Sequence, residues 1–193
     1  MKKIIFASLV ASSALLAGDW YVGANVGSSN MKADISAANK TTGVTGSADY
    51  SDDYSETKGG FGIKAGYEMA DAHRFEIEYL KIASNTSYAG VGYVYKHSFG
   101  DIKPFVGIGI GISSHKEELD VPGMDAFDQS STSYGLKGGL IYEIAKKHEI
   151  ELGYSYTMVG NMKQDYTVGG QNIEVKMENM KVGRVSIGYN YRF

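Results

Sequence analysis

Charged residues at alternate positions are the part of this sequence with the clearest potential for chemistry. Glu76 and Glu78 follow Arg74 in steps of two, and Glu68 follows Lys64 in two such steps. Side chains at alternate positions of a β-strand point to one side of the sheet, so each set shares a face. Other stretches carry charges on the same face, and we predict that all of them lie inside the protein: Lys64, Glu68, Arg74, Glu76, Glu78, Lys96, Lys137, Glu143, Glu151 and Arg184.

The pairing of these charges can be predicted for one hairpin. A turn of five residues after Glu68 places Lys64 opposite Glu78 and Glu68 opposite Arg74. Opposite charges enclosed within a protein have to pair, because a buried ion without a partner is costly. These two pairs are therefore candidate salt bridges.

The elements that hold these charges are predicted to be β-strands, because apolar residues alternate with the charged or small ones. The final segment shows the pattern most simply, with Val185, Ile187, Tyr189, Tyr191 and Phe193 on one face. Eight segments alternate in this way: Trp20–Ser28, Gly59–Glu68, Arg74–Tyr79, Ala89–Lys96, Phe105–Ser113, Tyr134–Glu143, Glu149–Tyr156 and Arg184–Phe193.

Composition agrees with an all-β protein of one domain. The 193 residues include 25 Gly and 15 Tyr but only 2 Pro, and the glycine count exceeds the roughly 14 expected at average usage. Past the N-terminus no apolar run approaches 18 residues, which excludes helical membrane spans. The sequence has no Cys, which excludes disulfides and thiol chemistry. A net charge of -3 without a basic stripe predicts no nucleic-acid partner.

The first residues read as a secretory signal peptide. Lys2 and Lys3 precede an apolar stretch from Ile4 to Leu16, and Ala17 or Gly18 offers a small residue for cleavage. We therefore predict a signal peptide over residues 1–17 and a single domain over residues 18–193.

The connections between strands alternate in length. Short turns are predicted around Asp71, at Phe99 to Asp101 and at Ala145 to Lys147, whereas long polar loops are predicted over residues 29–56, 115–131 and 159–176. Bacterial barrels place short turns in the periplasm and long loops outside the cell. The expected fold is an eight-stranded antiparallel up-and-down transmembrane β-barrel with both termini in the periplasm.

These features resemble a known family. The glycine-alternating strand from Lys103 to Gly111 and the terminal aromatic pattern are similar to those of the small eight-stranded outer-membrane barrels of Gram-negative bacteria, the OmpA-type and opacity-like proteins. The resemblance implies a location in the outer membrane, among lipid and lipopolysaccharide. It also implies that the barrel assembly machinery recognises the final strand through Ile187, Tyr189, Tyr191 and Phe193.

Two interpretations of the inward charges remain open. Eight strands leave an interior about wide enough for side chains to fill, so the charges can form a structural polar core. Alternatively, they gate a narrow, low-conductance ion pore. The alternating glycines Gly107, Gly109 and Gly111 do not predict a phosphate loop, because no Lys-Ser/Thr pair and no helical pattern follow them.

An enzyme is a weaker alternative. Outer-membrane barrels similar to this one include lipid A-modifying enzymes, and a serine hydrolase needs a histidine within reach of a nucleophile. Of the four histidines, only His115 is expected at the outer rim, near Ser113, Ser114 and Glu117. His73, His97 and His148 are expected at the periplasmic end. We predict no catalytic activity, no cofactor and no metal site.

The long loops are the remaining feature with functional potential. Residues 29–56 hold two Lys and five acids, and residues 115–131 hold one Lys and five acids. The aromatic residues Tyr50, Tyr54 and Phe127 could anchor a host or environmental partner. The preferred hypothesis is a structural, adhesin-like surface protein that acts through the loops of residues 29–56, 115–131 and 159–176.

Overall fold

The computed structural model describes residues 18–41, 50–82, 85–117, 126–168 and 170–193. The predicted signal peptide, residues 1–17, lies outside the described residues. The described chain is built of strands: β1 (Gly18–Asn39), β2 (Tyr50–Met69), β3 (His73–Ile82), β4 (Thr86–Lys96), β5 (Ile102–Glu117), β6 (Phe127–Ala145), β7 (His148–Val159), β8 (Met162–Val168) and β9 (Gln171–Arg192). In these ranges no helix is long and apolar enough to cross a membrane.

The strands form a closed antiparallel barrel. Each of β1 to β6 pairs with its successor, β7 pairs with β9, and β9 pairs with β1, so eight strands complete a ring. The ninth strand, β8, adds to the upper part of β9 only. Closure at the chain ends includes a hydrogen bond from the Phe193 amide to the Trp20 carbonyl at 2.9 Å.

Short turns define one end of the barrel, which we call the lower end. Met69 pairs with His73 around a turn in which Ala70 and Asp71 have φ values of 53° and 55°. The connection after β4 contains Gly100 at φ 65°, where a side chain would be strained. The third turn, at residues 146–147, links β6 to β7. These positions agree with the predicted turns.

The opposite, upper end is taller than expected. Strands β1 and β9 each have 22 residues, or about 70 Å at ~3.3 Å per residue, whereas a membrane crossing needs only 9–11. Outward apolar side chains occupy the lower part of the eight strands that form the ring: on β1 they run from Trp20 to Val26. Above this band the outward residues of β1 are polar, beginning with Ser28 and Asn30.

The predicted long polar loops are therefore wrong for most of their described residues. Within the predicted loop of residues 29–56, residues 29–39 and 50–56 are strand, and in the other two loops so are 115–117, 127–131, 162–168 and 171–176. The central residues 42–49, 118–125 and 169 lie outside the description. We call the strand segments above the apolar band the collar.

The polarity of the two strand faces explains why the sequence pattern did not predict the collar. In the membrane-spanning part the outer face is apolar, but in the collar the inner face is apolar and the outer face is polar. Met31 and Ala33 point inward and are buried, while Lys32 and Asp34 point outward and are exposed. The period of two continues through this inversion, interrupted in β9 by a bulge at Asn179 with φ 53°.

Candidate functional site: a lumen closed at both ends

The lower lumen is filled by an ion cluster around Arg74. Its Nε lies 2.6 Å from Glu68 Oε2, and its Nη2 lies 2.5 Å from Glu149 Oε2. Lys96 Nζ approaches Glu68 Oε1 to 2.5 Å, and the guanidinium carbon of Arg74 lies 4.7 Å from the centre of the Tyr21 ring. All five side chains are buried, so oppositely charged groups replace the water that each would otherwise need.

The Glu149 carboxylate also lies close to cations from three other strands. Its second oxygen lies 3.6 Å from Arg192 Nε and 3.8 Å from both Lys96 Nζ and Lys103 Nζ. Lys103 also pairs with Glu143, and Arg192 Nη2 lies 2.9 Å from Glu143 Oε2. The result is a network that closes the lumen just above the lower rim.

Apolar packing supports this closure. Val94, Phe105 and Ile141 point inward and form a small buried cluster. A Cβ added to Gly139 would lie 2.9 Å from Phe105 Cε1, so the phenyl ring rests against bare backbone. Glycine at such inward positions makes room for large side chains in a narrow barrel.

The middle lumen holds further pairs and a small cavity. Lys64 Nζ lies 2.6 Å from Glu151 Oε2, which also accepts a hydrogen bond from Asn190 Nδ2 at 3.1 Å. Glu76 pairs with Lys137 and accepts a hydrogen bond from the Tyr21 hydroxyl at 2.7 Å. The cavity measures about 40 Å³, and its polar lining comes from Glu76, Glu78, Tyr88, Lys137, Ser155 and Thr157.

Arg184 and Glu78 are bridged by an amide. Arg184 Nη2 donates to Asn25 Oδ1 at 2.7 Å, and Asn25 Nδ2 donates to Glu78 Oε1 at 3.5 Å. Neither charged group has an oppositely charged atom within 4.0 Å among the described residues, although both are largely enclosed. This layer is the boundary between the charged lumen below and the collar above.

The collar has an apolar core that closes the upper lumen. Nine buried side chains from six strands make up this cluster, here called the collar cluster: Met31, Ala33, Ile82, Phe127, Val159, Met162, Met177, Met180 and Val182. Ile35, Tyr54 and Val175 pack against it. Because its members come from strands far apart in the chain, the collar is a folded unit with its own core.

The residues predicted to form ion pairs all lie in the lumen, but not all contact their expected partners. The β2–β3 register places Lys64 opposite Glu78 and Glu68 opposite Arg74, as the turn length indicated. Glu68 and Arg74 make contact, whereas the Lys64 ammonium reaches across the lumen to Glu151. The predicted contact between Lys64 and Glu78 is therefore corrected, because the barrel interior offered a better-placed carboxylate on β7.

Three central members of the lower cluster were missing from the predicted set. These are Glu149, Lys103 and Arg192, and all three point inward. Along its own strand, each lies an even number of positions from another inward residue. Counting by twos from Glu151 and Phe105 would have found the first two. Arg192 follows in the same way from Arg184.

The histidine expected at the outer rim lies inside the collar instead. His115 is buried, its Nδ1 is 2.8 Å from Thr86 Oγ1, and its ring centre is 6.3 Å from that of Phe127. Ser113 Oγ donates to Ser133 Oγ at 3.1 Å, and Ser114 Oγ lies 2.7 Å from Ser130 Oγ. The nearby serine hydroxyls are thus engaged with other serines.

Two of the aromatic contact anchors are also corrected. Phe127 is 3% exposed in the collar cluster, and Tyr54 packs against it, so both stabilise the collar from within. The side chain of Tyr50 lies outside the described residues. Among the residues described, no group of three or more His, Asp or Glu is placed to hold a metal ion.

The residues of the expected assembly signal lie along the seam of the barrel. Ile187, Tyr189 and Phe193 point outward and are exposed, and the rings of Tyr191 and Phe193 meet edge to face at 5.3 Å. Outward His148 Nδ1 lies 2.5 Å from the Tyr189 hydroxyl. This aromatic group belongs to a girdle at the lower end of the apolar band, a position typical of a membrane interface.

Residues 4–193 match the family model for the outer membrane protein beta-barrel domain. A search of curated protein sequences finds no relative that matches this chain.

Solved structures show the same architecture. Neisserial surface protein A is 21% identical, with 90% of this chain and 97% of that chain covered at a TM-score of 0.61. OprG from Pseudomonas aeruginosa is 15% identical, with coverages of 92% and 97% and a TM-score of 0.57. Ail of Yersinia pestis is 16% identical, with coverages of 90% and 98% and a TM-score of 0.51. At these identities the likeness concerns the fold alone.

Proposed function

The chain belongs to the outer membrane protein beta-barrel family, and from this we propose that it is a surface-interaction protein whose collar presents a rigid binding face outside the cell. The supporting observation is the inverted polarity of the collar. Its apolar side chains are used for its own core, and its outward face is polar and exposed. A surface of this kind is held in one shape and is available to a partner.

The orientation follows from the lengths of the connections. The short turns at residues 70–72, 97–101 and 146–147 all lie at the lower end, and the long extensions lie at the upper end. Because bacterial barrels keep short turns in the periplasm, the lower end and both chain termini are assigned to the periplasm. The collar then projects beyond lipopolysaccharide into the surroundings.

The outward face of the collar carries a row of carboxylates. Asp34 pairs in register with Asp53 on one side and with Glu178 on the other, so three acids lie side by side across β2, β1 and β9. Asp34 Oδ2 accepts a hydrogen bond from Asn179 Nδ2 at 2.7 Å, and Glu178 Oε1 accepts one from Asn161 Nδ2 at 3.4 Å. Like charges directly opposite each other repel, so a cationic partner would stabilise this row.

A basic protein segment is therefore the partner class that the collar fits best. The sequence adds to the negative potential, because residues 115–131 hold five acids and one Lys. Electrostatic attraction of this kind depends on ionic strength.

Binding to a lysine-rich peptide tests the proposal. The protein in lipid nanodiscs is expected to bind the peptide, and a variant with Asp34→Asn, Asp53→Asn and Glu178→Gln is expected to bind about tenfold or more weakly at low salt. Asp71→Asn with Asp101→Asn, exposed acids at the lower end, is the matched control and should retain binding. Equal binding by the collar variant and the wild type would contradict the assignment of the collar as the interaction surface.

A narrow ion pore is the second candidate, because the middle lumen contains a cavity. Its volume of about 40 Å³ leaves room for about three water molecules. Conduction would require both the lower ion cluster and the collar cluster to open. The preferred proposal needs no such rearrangement.

We propose no catalytic role for the lumen. The neighbourhood of His115 supports this, because Thr86 lies at its Nδ1 and the hydroxyls of Ser113 and Ser114 bond to other serines. Mass spectrometry of lipid A from cells that overproduce the protein should therefore show no new species. Interaction with outer-membrane lipid and with the assembly machinery is assigned to the outward apolar band and the final strand.

A further inference from the structure

Among the described residues, Arg184 is the lumen cation that makes no direct contact with a carboxylate. Between the lower rim and the layer of Arg184, the described residues place seven cations and six carboxylates inward, apart from Lys58, which is opposite Ser29 on β2 and pairs with Glu56: Lys64, Arg74, Lys96, Lys103, Lys137, Arg184 and Arg192, and Glu68, Glu76, Glu78, Glu143, Glu149 and Glu151. Six of those seven cations lie within 4.0 Å of one of five carboxylates, and Arg184 and Glu78 are the two charges without such a contact among the described residues. Arg184 is 4% exposed and is linked to Glu78 only through the side chain of Asn25. An enclosed guanidinium without a direct carboxylate contact is costly, and an anion bound to it would lower that cost.

Two buried polar atoms in the layer of Arg184 are available for a hydrogen bond. Within the part of the chain that the structure describes, neither Arg184 Nε nor Ser29 Oγ has a hydrogen-bond partner, although Ser29 is fully buried. The two residues are directly opposite each other in the β1–β9 register, and Ser155 is opposite Arg184 on β7. Directly paired inward side chains have Cβ atoms about 5 Å apart, so a guanidinium N–H and two hydroxyl groups converge there.

The residues below and above Ser29 and Arg184 differ in character. Two residues below on β1 and β7 lie Gly27 and Gly153, which place no side chain in the lumen. Two residues above on β1 and β9 lie Met31 and Val182, members of the collar cluster. Four methionines belong to that cluster, and methionine side chains adapt readily to an inserted apolar group.

We propose that Arg184 and Ser29 form a binding site for a monoanion, with the shared chemistry of one negative charge that accepts N–H and O–H hydrogen bonds. The anion is either a small inorganic ion or the carboxylate head of an amphiphile whose chain enters the collar cluster. The cluster directly above the site favours the amphiphile, because each buried methylene strengthens binding by about fourfold. The site is independent of the outer face of the collar.

The experiment uses the protein in lipid nanodiscs with ¹³C-methyl methionine. Sodium bromide, sodium decanoate and decanol are titrated separately while the methyl signals are followed. Met31 lies two residues above Ser29 on the same face, whereas Met69 is at the lower end and Met158 is on the outward face. Decanoate that merely enters the lipid would move the Met158 signal without saturating the Met31 signal.

Wild-type protein is expected to show a saturable shift of the Met31 signal with decanoate and none with decanol. In R184Q this response should be lost, in R184K it should remain with lower affinity, and in S29A the affinity should fall severalfold. A saturable, Arg184-dependent response to bromide but not to decanoate would support the monoanion site with an inorganic occupant. A response that is the same in R184Q, or no response of Met31 to either anion, would overturn the proposal.

Loss of folding is checked by heat-dependent gel mobility for each variant. R184K and S29A keep the test decisive if R184Q does not assemble. In that case unchanged decanoate affinity in both variants would overturn the proposal.

Discussion

Arg74 and Glu149 meet across the lumen from β3 and β7, with Nη2 2.5 Å from Oε2, although 75 positions separate them in the chain. This contact joins strands that are not neighbours in the sheet. The neighbouring members of the ion cluster come from three further strands: Glu68, Lys96 and Arg192. The cluster therefore connects most strands of the ring at the same height in the lumen.

Removing the charge of Glu149 should destabilise the barrel strongly. Glu149→Gln leaves Arg74 and its neighbouring cations short of one buried carboxylate, and we expect a loss of about 3–5 kcal/mol in the free energy of unfolding. Urea unfolding in lipid vesicles measures this loss. Asp128→Asn is the control, because its contact with Lys116 is 3.9 Å long and both side chains are 64% exposed, and it should cost about 0–1 kcal/mol. Similar costs for the two variants would contradict the structural role of the cluster.

Opening the collar cluster should loosen the collar without unfolding the membrane-spanning part. Phe127→Ala removes a buried aromatic side chain, and a cost of about 3–5 kcal/mol is expected in the part that contains it. Limited proteolysis should then cleave the collar while the lower barrel remains intact. Lys181→Ala, on the exposed outer face, should leave protease resistance unchanged. Unchanged resistance of the Phe127 variant would show that the collar has no core of its own.

A charge at the seam should impair assembly. Phe193 is 62% exposed on the outward face and its amide bonds to Trp20 of β1, so Phe193→Asp places a carboxylate in the apolar surroundings of the closing strand. The yield of heat-modifiable protein in the outer membrane is expected to fall severalfold. Phe193→Tyr keeps the aromatic ring and should assemble normally. Normal yield of the Asp variant would remove Phe193 from the assembly signal.

The collar should carry a pH-sensitive link between Lys40, which directly follows β1, and Glu174 of β9. Lys40 Nζ lies 2.9 Å from Glu174 Oε1 and Lys176 Nζ lies 3.2 Å from it, and the hydrogen bond from Lys40 lowers the pKa of Glu174. Because the pKa of Glu174 is lower in the folded state, its ionised carboxylate stabilises the collar at pH values above the ordinary glutamate pKa of about 4.3. This contribution is lost as the pH falls through the folded-state pKa.

Carbon-13 NMR of the Glu174 carboxyl group measures this titration. Lys40→Gln is expected to raise the midpoint towards the ordinary value, while Lys147→Gln at the lower end leaves it unchanged. A midpoint that does not move in the Lys40 variant would assign the shift to another cause.

The membrane-spanning part could be predicted from the sequence because its signals are local. Alternation placed Arg74 and Glu68 inward, and the length of one turn set their register. The partner of Lys64 could not be predicted, since its contact with Glu151 crosses the lumen and depends on how the closed ring is staggered. The collar was missed for a different reason. Its inward positions are filled by Met31, Ala33 and other modest apolar residues, and its outward positions have the polar composition of a loop.

Single-channel recording in planar bilayers tests the closed lumen most directly. With the ion cluster below and the collar cluster above, the wild-type protein should give no conductance steps at moderate voltage, while an open eight-stranded control barrel does. Reconstitution is verified by gel mobility of the recovered protein. Regular steps in the wild type would contradict the account, and larger or more frequent steps in the Glu149→Gln or Lys64→Gln variants would establish a gated pore.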